Sequence, residues 1–306
     1  MSIVVFGSIN IDVSVYSEHL PGPGETLHGD SYAIGLGGKG CNQAVAVARL
    51  GADVALIGRT GDDQFAALAR SSLAEFGVAD DLILTDPDNA TGIATIGIDR
   101  HGENSITVVG GANMAIDEVD VVRCGAEFAR ADILLLQLEI PLAANLSAAA
   151  VVRNGGGRVI LDPAPAPVAG FDDPAIYAQV DIMTPNETET EALTGVRPNT
   201  ADDAASAAQC LHDKGLSGAV IKMGAQGVYY STPGDQGFVP AFTVEAIDTV
   251  AAGDCFNGGL AYALARGDSI GDAVRFAAAC GALTTTRPGA AAAAPGRAEV
   301  EKLMEQ

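Results

Sequence analysis

Short apolar segments alternate along the chain with longer segments in which apolar residues are spaced. The uniformly apolar segments predict strands that are buried on both faces, and the longer segments predict the helices that cover them. The predicted strands are residues 3–7, 54–58, 133–139, 158–162, 180–184 and 219–224, and the predicted helices are residues 41–50, 62–76, 117–130, 142–154 and 201–214. This alternation predicts an α/β fold with a mostly parallel central sheet and helices on both faces.

One segment, residues 91–111, departs from this alternation. Its sequence, TGIATIGIDRHGENSITVVGG, contains two β-type runs around a turn-rich centre, which predicts a hairpin. Such an insertion is a candidate small β-sheet lid, which strands from residues 13–36 would join; a simple hairpin at the edge of the sheet remains the alternative. The expected division is a core of residues 1–12, 37–90 and 112–306 and a lid of residues 13–36 and 91–111.

The charge of the chain limits its partners. The 306 residues are 48% hydrophobic and 18% charged, which is typical of a folded globular protein, and the formal net charge is −22. Because nucleic acids and acidic membranes are bound by clustered Lys and Arg, neither is an expected partner. An anionic ligand must then be held by a local device such as a helix end.

The cysteines and the N-terminus bear on localisation. The five cysteines are far apart and contain no Cys-x-x-Cys pair, which suits a reduced protein better than a disulfide scaffold or a zinc site. The segment MSIVVFGSIN lacks a basic region and has too short an apolar run for a signal peptide, and no apolar run approaches membrane-spanning length. We expect a cytoplasmic protein.

A glycine-rich segment, GLGGKGCNQA at residues 35–44, contains the pattern G-x-G-x-x-G. The context excludes a dinucleotide fold, because no clear strand of a βαβ unit precedes the pattern and the next acid, Asp53, precedes a strand. The segment is not a P-loop either, since Lys39 is followed by Gly40. It predicts a loop of exposed backbone amides that opens a helix and can approach a small polar ligand closely.

Residues 248–259, DTVAAGDCFNGG, surround one carboxylate with small residues. A helix that starts here would leave uncovered amides with a partial positive charge, which can hold an anion. Asp254 would then lie beside that anion and could accept a proton from an incoming hydroxyl group. It would titrate low and be ionised at neutral pH, because the helix end favours the charged form. A simple N-cap is the alternative role for this residue.

Polar residues also follow several predicted strands, at the sheet edge where ligands bind in parallel sheets. Asn10 and Asp12 follow the first strand, Glu139 ends the third, and Asn186 and Glu187 follow the fifth. Asn10 and Asp12 are two residues apart and would share one face of an extended chain, as acceptors for sugar hydroxyls. Turn-forming residues at the end of a strand are the alternative. The coincidence of a base, bare amides and sugar-type polar groups favours catalysis.

The chain resembles the ribokinase family of carbohydrate kinases over essentially its whole length. Motifs in the order typical of that family carry the resemblance: GSINID (7–12), PGPGET (21–26), GGKGCNQAVA (37–46), GDD (61–63), HGEN (101–104), GAN (111–113), LQLEIP (136–141), DPAPA (162–166), TPNETE (184–189) and DTVAAGDCFNGG (248–259). Together these motifs are far more specific than an isolated G-x-G-x-x-G pattern.

The resemblance implies roles for individual residues. The sugar would be held by Asn10, Asp12, Gly38, Lys39, Asn42 and Glu139, and ATP by Asn186, Lys222, Gly224, Gly227 and Gly253, with Glu189 near Mg²⁺ and its waters. Asp254 would be the base, beside an anion hole formed by the amides of Ala252, Gly253 and Asp254, and Ala251 would belong to the same catalytic segment. A monovalent cation such as K⁺ would be bound, mostly through backbone carbonyls, by Asp248, Val250, Thr284, Arg287 and Gly289. A homodimer through the lid is also implied.

Two positions depart from the pattern of the family. Lys222 stands where threonine is common, so the phosphate contacts there would differ. A run of five alanines, residues 290–294, occupies the cation loop, and Ala293 stands about where a serine often contributes. Backbone carbonyls alone could still coordinate potassium.

The activity implied is transfer of the γ-phosphoryl group of MgATP to the primary hydroxyl of a pentose, O5 of ribose in the first place. Deoxyribose, another sugar or a nucleoside as the acceptor is the nearest alternative. A non-catalytic sugar or nucleotide sensor is a second alternative, but the base and the anion hole are both present in AAGD (251–254).

Overall fold

Thirteen strands are present in the structure, a computed structural model that describes residues 2–167, 171 and 173–306. In chain order they are β1 (Ile3–Phe6), β2 (Asn10–Tyr16), β3 (Ser31–Gly37), β4 (Val54–Thr60), β5 (Ile83–Thr85), β6 (Gly92–Ile98), β7 (Asn104–Val109), β8 (Ile133–Leu136), β9 (Arg158–Leu161), β10 (Ile182–Met183), β11 (Gly218–Lys222), β12 (Gly227–Thr232) and β13 (Asp235–Pro240). They form one large and one small sheet.

The large sheet has the order β13-β12-β11-β10-β9-β8-β1-β4-β5. All neighbours from β5 to β11 pair in parallel, whereas β12 and β13 add an antiparallel hairpin at the far end. After β1, the chain adds β4 and β5 on one side of that strand. It later adds β8 and the strands that follow on the other side. The order therefore reverses between β1 and β8, which is where open α/β sheets bind ligands.

The small sheet has the order β3-β2-β6-β7. Its β6 and β7 form the hairpin predicted for residues 91–111, and because β6 also pairs with β2, the alternative of an edge hairpin on the large sheet is excluded. Strand β2 begins at Asn10, so residues 10–12, which we assigned to the core, pair in the small sheet. Residues 1, 168–170 and 172 of the predicted core lie outside the described residues.

Eleven α-helices are present among the described residues. They are α1 (Lys39–Arg49), α2 (Gln64–Glu75), α3 (Glu118–Arg123), α4 (Gly125–Arg130), α5 (Leu142–Asn154), α6 (Pro174–Gln179), α7 (Glu187–Thr194), α8 (Ala201–Asp213), α9 (Ala252–Arg266), α10 (Ile270–Thr284) and α11 (Arg297–Met304). Within the described ranges, none combines the length and apolar character that a membrane crossing requires.

Side chains that alternate along β1 divide the core into two layers. Ile3 and Val5 pack with the layer formed by α1, α2, α9, α10 and α11, whereas Val4 and Phe6 pack with the layer formed by α3 to α8. The strand is buried at every position, as its uniformly apolar sequence predicts. The predicted α/β fold with helices on both faces is thus confirmed.

Several predicted elements differ in extent. The single helix predicted for residues 117–130 is two helices separated at Cys124, where Gly125 follows and weakens helix propagation. The strands predicted for residues 133–139 and 180–184 are shorter, since β8 ends at Leu136 and β10 contains only two residues. The hairpin of β12 and β13 is absent from the sequence-based prediction.

Candidate active site

Polar residues converge at the carboxyl edge of the large sheet, next to the reversal in strand order. Glu139 follows β8, Asp162 directly follows β9, and Lys222 ends β11. Helix α1 and helix α9 both contact the sheet here, and they pack against each other. Of these three residues, Glu139 is one of the strand-end residues predicted for this edge, and Asp162 and Lys222 join it there.

The glycine-rich segment lies against the loop that follows β1. Gly38 has a positive φ of 88°, and a Cβ at Gly40 would lie 2.6 Å from backbone atoms of Gly7 and Ser8. Only glycine allows these approaches. The close contact brings the backbone N–H of Lys39 within 3.0 Å of Glu139 Oε2, which also accepts a hydrogen bond from the Ser8 hydroxyl.

Asn10 and Asp12 begin β2 and lie over glycines. Asn10 Oδ1 occupies the space of a Cβ at Gly92, and the Asp12 carboxyl occupies that of a Cβ at Gly37. The buried Asn113 orients Asn10, because its Nδ2 donates to Asn10 Oδ1 at 2.8 Å. The side-chain oxygen of Asn10 thus has a partner within the protein, and the side-chain NH₂ group of Asn10 is left to contact a ligand.

Asp12 lies in a strongly acidic environment. Burial raises the pKa of the Asp12 carboxyl to about 6, and the negative charges of Glu139 and Asp254 add to the shift. Asp12 therefore belongs to the same group of side chains as Glu139 and Asp254, although the three residues come from the small sheet, from a loop of the large sheet and from α9.

Helix α9 begins with an unusual backbone conformation. Its N-cap, Ala251, has φ 57°, the only positive φ at a non-glycine position among the described residues. The N–H groups of Ala252 and Cys255 bond to Thr249 and Ala251, but no hydrogen bond within the described ranges engages those of Gly253 and Asp254. Residues 251–253 are partly exposed. Of the amides predicted to be bare, those of Gly253 and Asp254 have no such partner among the described residues, whereas the Ala252 amide is bonded to Thr249.

Asp254 is the third residue of α9, so it is not the N-cap. Its carboxyl is buried and accepts hydrogen bonds from Asn42 Nδ2 at 2.9 Å and from Gln43 Nε2 at 3.2 Å. The low pKa that we expected is wrong. Burial raises the pKa of this carboxyl, and the negative charges of Asp162 and Glu139 raise it further. The Lys39 ammonium and the hydrogen bond from Asn42 lower the pKa and offset only part of that shift. A raised pKa makes the carboxylate a better proton acceptor.

Lys39 is the cation at the centre of this group. Burial alone would lower the pKa of its ammonium, but the charges of Asp254, Asp162, Glu139 and Glu189 raise it above the ordinary value. Lys39 is thus charged at neutral pH and offsets part of the negative charge around Asp254.

Lys222, at the departure from the family pattern, faces the start of α9. Its Nζ donates to Asp162 Oδ1 at 3.1 Å and lies 3.4 Å from the position of a Cβ on Gly253. Gly224 and Gly227 flank the turn after β11, and both have positive φ. A Cβ at Gly227 would lie 2.2 Å from Val239 O, so its glycine is required by the β12–β13 hairpin.

Asn186 and Glu189 form the capping box of α7. Asn186 Oδ1 accepts from the Glu189 N–H at 2.9 Å, and Glu189 Oε2 accepts from the Asn186 N–H at 2.8 Å. Burial raises the pKa of the Glu189 carboxyl, with the Lys222 ammonium opposing the shift. Both residues therefore have a structural role at the helix start, and their contacts with a nucleotide or Mg²⁺ stay predictions.

The residues predicted to bind a monovalent cation lie in the loop before α9 and at the end of α10 with the loop that follows it. Asp248 joins them, because its carboxylate accepts from the N–H of Val250 and from that of Gly289, both at 3.0 Å. Arg287 instead directs its guanidinium toward Glu299, and the Thr284 hydroxyl donates to Cys280 O at 2.9 Å. Because both side chains have other partners, Thr284 and Arg287 could bind a cation only through their backbone carbonyl groups. The cation site stays a prediction.

Three residues at the site have no role in the sequence analysis beyond membership of a motif: Gln43, Asp162 and Asn113. Asp162 carries the same signal as Glu139, a carboxylate at the end of an apolar segment, and could have been identified from it. Gln43 and Asn113 are uncharged and carry no such signal. Gln43 contacts Asp162, which is 119 residues away in the sequence, and Asn113 contacts Ile9, which is 104 residues away, so local sequence does not reveal either role.

Comparison with known proteins identifies the family. A family model described as pfkB family carbohydrate kinase matches residues 1–297. The chain belongs to this family. It is a carbohydrate kinase, as the resemblance implied.

The relatives of this kinase include proteins with different acceptors. Ribokinase of Haemophilus influenzae is 41% identical over 304 residues, which cover 99% of this chain and 98% of that protein. Deoxyribokinase of Salmonella typhi is 35% identical over 295 residues, which cover 96% of each protein. The structure of Arabidopsis thaliana ribokinase complexed with ribose and ATP covers 99% of this chain and 98% of its own, with a TM-score of 0.91 at 34% identity.

Proposed function

We propose that this carbohydrate kinase transfers the γ-phosphoryl group of MgATP to the primary hydroxyl of D-ribose and releases ribose 5-phosphate and ADP. The observation that carries the proposal is the pair of unbonded amides, Gly253 and Asp254, at a helix start that also holds a buried carboxylate beside sugar-type polar groups. The likeness to ribokinases over the whole chain supports ribose as the acceptor.

Asp254 is the general base in this mechanism. Its carboxylate accepts the proton of the sugar hydroxyl while the hydroxyl oxygen bonds to the γ-phosphorus and the bond to the ADP oxygen breaks. The Gly253 and Asp254 amides donate to the phosphoryl oxygens, and one well-aimed donor of this kind contributes about 3 kcal/mol. Because the amides are held by the helix before the reaction, they need no reorganisation.

The sugar is held by groups of both sheets. Asn10 offers an NH₂ donor and Asp12 a carboxylate acceptor from the small sheet, while Glu139, Lys39, Asn42 and the Gly38 backbone line the other side. The small sheet then acts as a lid over the sugar, and its closure would exclude water as a competing acceptor.

The phosphates of ATP lie between the start of α9 and the end of β11 in this proposal. Gly253, Lys222, Asn186, Gly224 and Gly227 line that region, and Lys222 provides a positive charge where threonine is common. Mg²⁺ needs few protein ligands, because it keeps several waters and binds the phosphates, so the Glu189 carboxylate at this place fits it. The metal would neutralise phosphate charge.

A monovalent cation fits the adjoining loops through oxygen donors. The Asp248 carboxylate and the Val250, Thr284, Arg287 and Gly289 carbonyls would hold K⁺, which would stabilise the loop conformation before α9. We further propose a cytoplasmic homodimer formed through the lid. Exposed apolar side chains of the small sheet, Tyr32, Ile34, Ile106 and Val108 among them, support that interface.

A screen for ADP release tests the proposal directly. Purified protein, MgATP and each of a set of pentoses, deoxypentoses and nucleosides are assayed with and without K⁺. We expect ribose to give the highest kcat/KM and K⁺ to increase it. Equal or faster turnover of deoxyribose would instead assign the chain to the function that the Salmonella relative's name states, and turnover of no acceptor would refute the proposal.

A further inference from the structure

A chain of hydrogen bonds connects the base with the phosphate side of the site. Gln43 Nε2 donates both to Asp254 Oδ1, at 3.2 Å, and to Asp162 Oδ2, at 3.1 Å. Asp162 Oδ1 in turn accepts from Lys222 Nζ at 3.1 Å. Gln43 and Asp162 are buried, at 0% and 2% exposure, so no bulk water substitutes for these bonds.

The orientation of the Gln43 amide is determined by its neighbours. Its NH₂ group has two hydrogens and faces two carboxylates, while its Oε1 accepts from Gln137 Nε2 at 2.8 Å. A flipped amide would direct its carbonyl at both carboxylates and its NH₂ at another NH₂, which is electrostatically unfavourable. Gln43 therefore has one stable orientation, and in that orientation it bridges Asp162 and Asp254.

The bridge fixes both ends of the site. At one end, Asp254 has each carboxylate oxygen held, Oδ1 by Gln43 and Oδ2 by Asn42. At the other end, Asp162 holds the Lys222 ammonium close to Gly253, where the bare amides begin. Lys222 comes from β11, Asp162 from the end of β9 and Gln43 from α1, so no single element could set these distances.

We propose that Gln43 is a positioning residue that fixes the Asp254 carboxylate and, through Asp162, places the Lys222 ammonium beside the amides of the anion hole. The inference rests on the proposed function, in which the hydroxyl approaches Asp254 and the phosphoryl group approaches Gly253 and Lys222. Base and cation then stay at a fixed separation, which keeps attacking oxygen and phosphorus aligned.

The bridge also affects protonation. Asp254 is faced by Lys39 from α1, Glu139 and Asp162 from the loops after β8 and β9, and Asp12 from the small sheet. Three of these four groups are acidic, so a hydrogen bond donated by Gln43 helps to keep Asp254 ionised. Loss of that donor should raise the pKa of Asp254 further.

The substitution Gln43→Met tests the role of the amide. Methionine has nearly the same length and volume but donates no hydrogen bond, so packing is preserved. Gln209→Met is the matched control, because Gln209 Nε2 also donates to a carboxylate, Asp213 Oδ1 at 2.8 Å, on the exposed face of α8. A third variant, Asp162→Asn, keeps the shape of Asp162 but removes the charge that holds Lys222.

The first measurement needs no turnover. Protein labelled with ¹³C in its aspartate carboxyl groups is titrated by infrared spectroscopy, and the Asp254 signal is isolated by difference with Asp254→Asn. We expect the pKa of Asp254 to rise by about one unit in Gln43→Met and to stay unchanged in Gln209→Met. An unchanged pKa in Gln43→Met would overturn the inference, whether or not the protein phosphorylates a sugar.

The second measurement separates positioning from folding. We expect Gln43→Met and Asp162→Asn to lower kcat by ten- to a hundredfold, with KM for the sugar within about threefold, and the acid limb of the kcat–pH profile of Gln43→Met to move to higher pH. If Gln43→Met lowers the thermal stability but leaves the kcat–pH profile where it is in wild-type protein, Gln43 has a structural role only and the inference is refuted. If the pKa shift occurs but wild-type protein turns over no acceptor, the proposed function fails while the bridge stands.

Discussion

Asp254 combines two properties that oppose each other in most proteins, since it is buried and yet must act as a carboxylate. Asp254→Asn keeps the shape and removes the proton acceptor, so we expect kcat to fall about 10²- to 10⁴-fold. Steady-state ADP release with ribose measures the loss. Asp272→Asn is the matched control, because Asp272 is likewise the third residue of its helix, α10, but its carboxylate accepts a hydrogen bond from the Ser269 hydroxyl that caps that helix. Near wild-type turnover in Asp254→Asn would disprove the assigned role.

Asp12 gives the site a dependence on pH that is separate from the base. Since burial and nearby acids raise its pKa to about 6, the carboxyl is protonated below that pH and ceases to be a full acceptor for a sugar hydroxyl. We expect KM for the sugar to rise as pH falls through 6, by about tenfold at pH 5, because only the ionised fraction binds well. KM measured from pH 5 to 8 checks this. Asp12→Asn should show a high KM that is independent of pH, and a flat profile in wild-type protein would contradict the assignment.

At the residue scale the sequence identified positions better than it identified their environment. Asp254 is a candidate base because small residues surround it and because polar residues such as Glu139 and Asp12 also follow predicted strands, and the roles of all three stay predictions. The direction of the Asp254 pKa was predicted incorrectly, because the helix end is a local feature whereas the burial comes from residues more than two hundred positions away, such as Asn42. Contacts of that kind have no local signature.

The start of α9 shows how an element can hold a conformation that its residue disfavours. Ala251 adopts φ 57°, a left-handed conformation that costs an alanine about 1 kcal/mol and costs a glycine nothing. We therefore expect Ala251→Gly to raise the free energy of unfolding by about 1 kcal/mol and Tm by about 2 °C. Thermal unfolding measures both.

Ala252→Gly is the comparison for that change. Ala252 is the first residue of α9, where glycine loses backbone entropy without relieving any strain, so this substitution should destabilise by about 0.5–1 kcal/mol. Opposite signs at two adjacent alanines would establish that the backbone of Ala251, and not the general loss of a methyl group, is responsible. Destabilisation by both would contradict the strained helix start.

Elements with a strong periodic pattern were predicted well, and elements defined by their partners were not. The apolar segments of β1, β4 and β9 and the hairpin of β6 and β7 are visible in the sequence. Strand β2 was not assigned to the small sheet from its first residue, because Asn10 and Asp12 follow β1 so closely. The break at Cys124 follows from Gly125, which a pattern of apolar spacing alone does not reveal, and α3 and α4 then each contact α5.

At the scale of the whole molecule the site is a consequence of strand order. The chain places β1 inside the sheet, third from the β5 edge, adds β4 and β5 on one side and then returns to add β8 to β11 on the other side. The loops after β1 and β8 thereby lie side by side, joined by the hydrogen bond from Ser8 to Glu139, and the glycine-rich segment that begins α1 packs against the first of them. Alternation predicts a parallel sheet but not this order, because many orders satisfy the same alternation.

The small sheet exposes apolar side chains at both of its edges. Its edge strand β7 exposes Ile106, Val108 and Val109 by more than half, and β3 at the other edge exposes Tyr32 by 73%. Exposed apolar edge strands are normally covered by another chain or element. We therefore expect sedimentation equilibrium at micromolar concentration to give the mass of two chains.

The double substitution of Ile106→Lys and Val108→Lys should reduce that mass to one chain, because a dimer interface would bury two unpaired ammonium groups from each chain at a cost of several kcal/mol. Val119→Lys with Val122→Lys is the matched control, since these side chains on α3 are also exposed but lie outside the small sheet. It should leave the mass unchanged. A single-chain mass for wild-type protein would refute the dimer, and a dimer that survives the first pair but not the second would place the interface on α3.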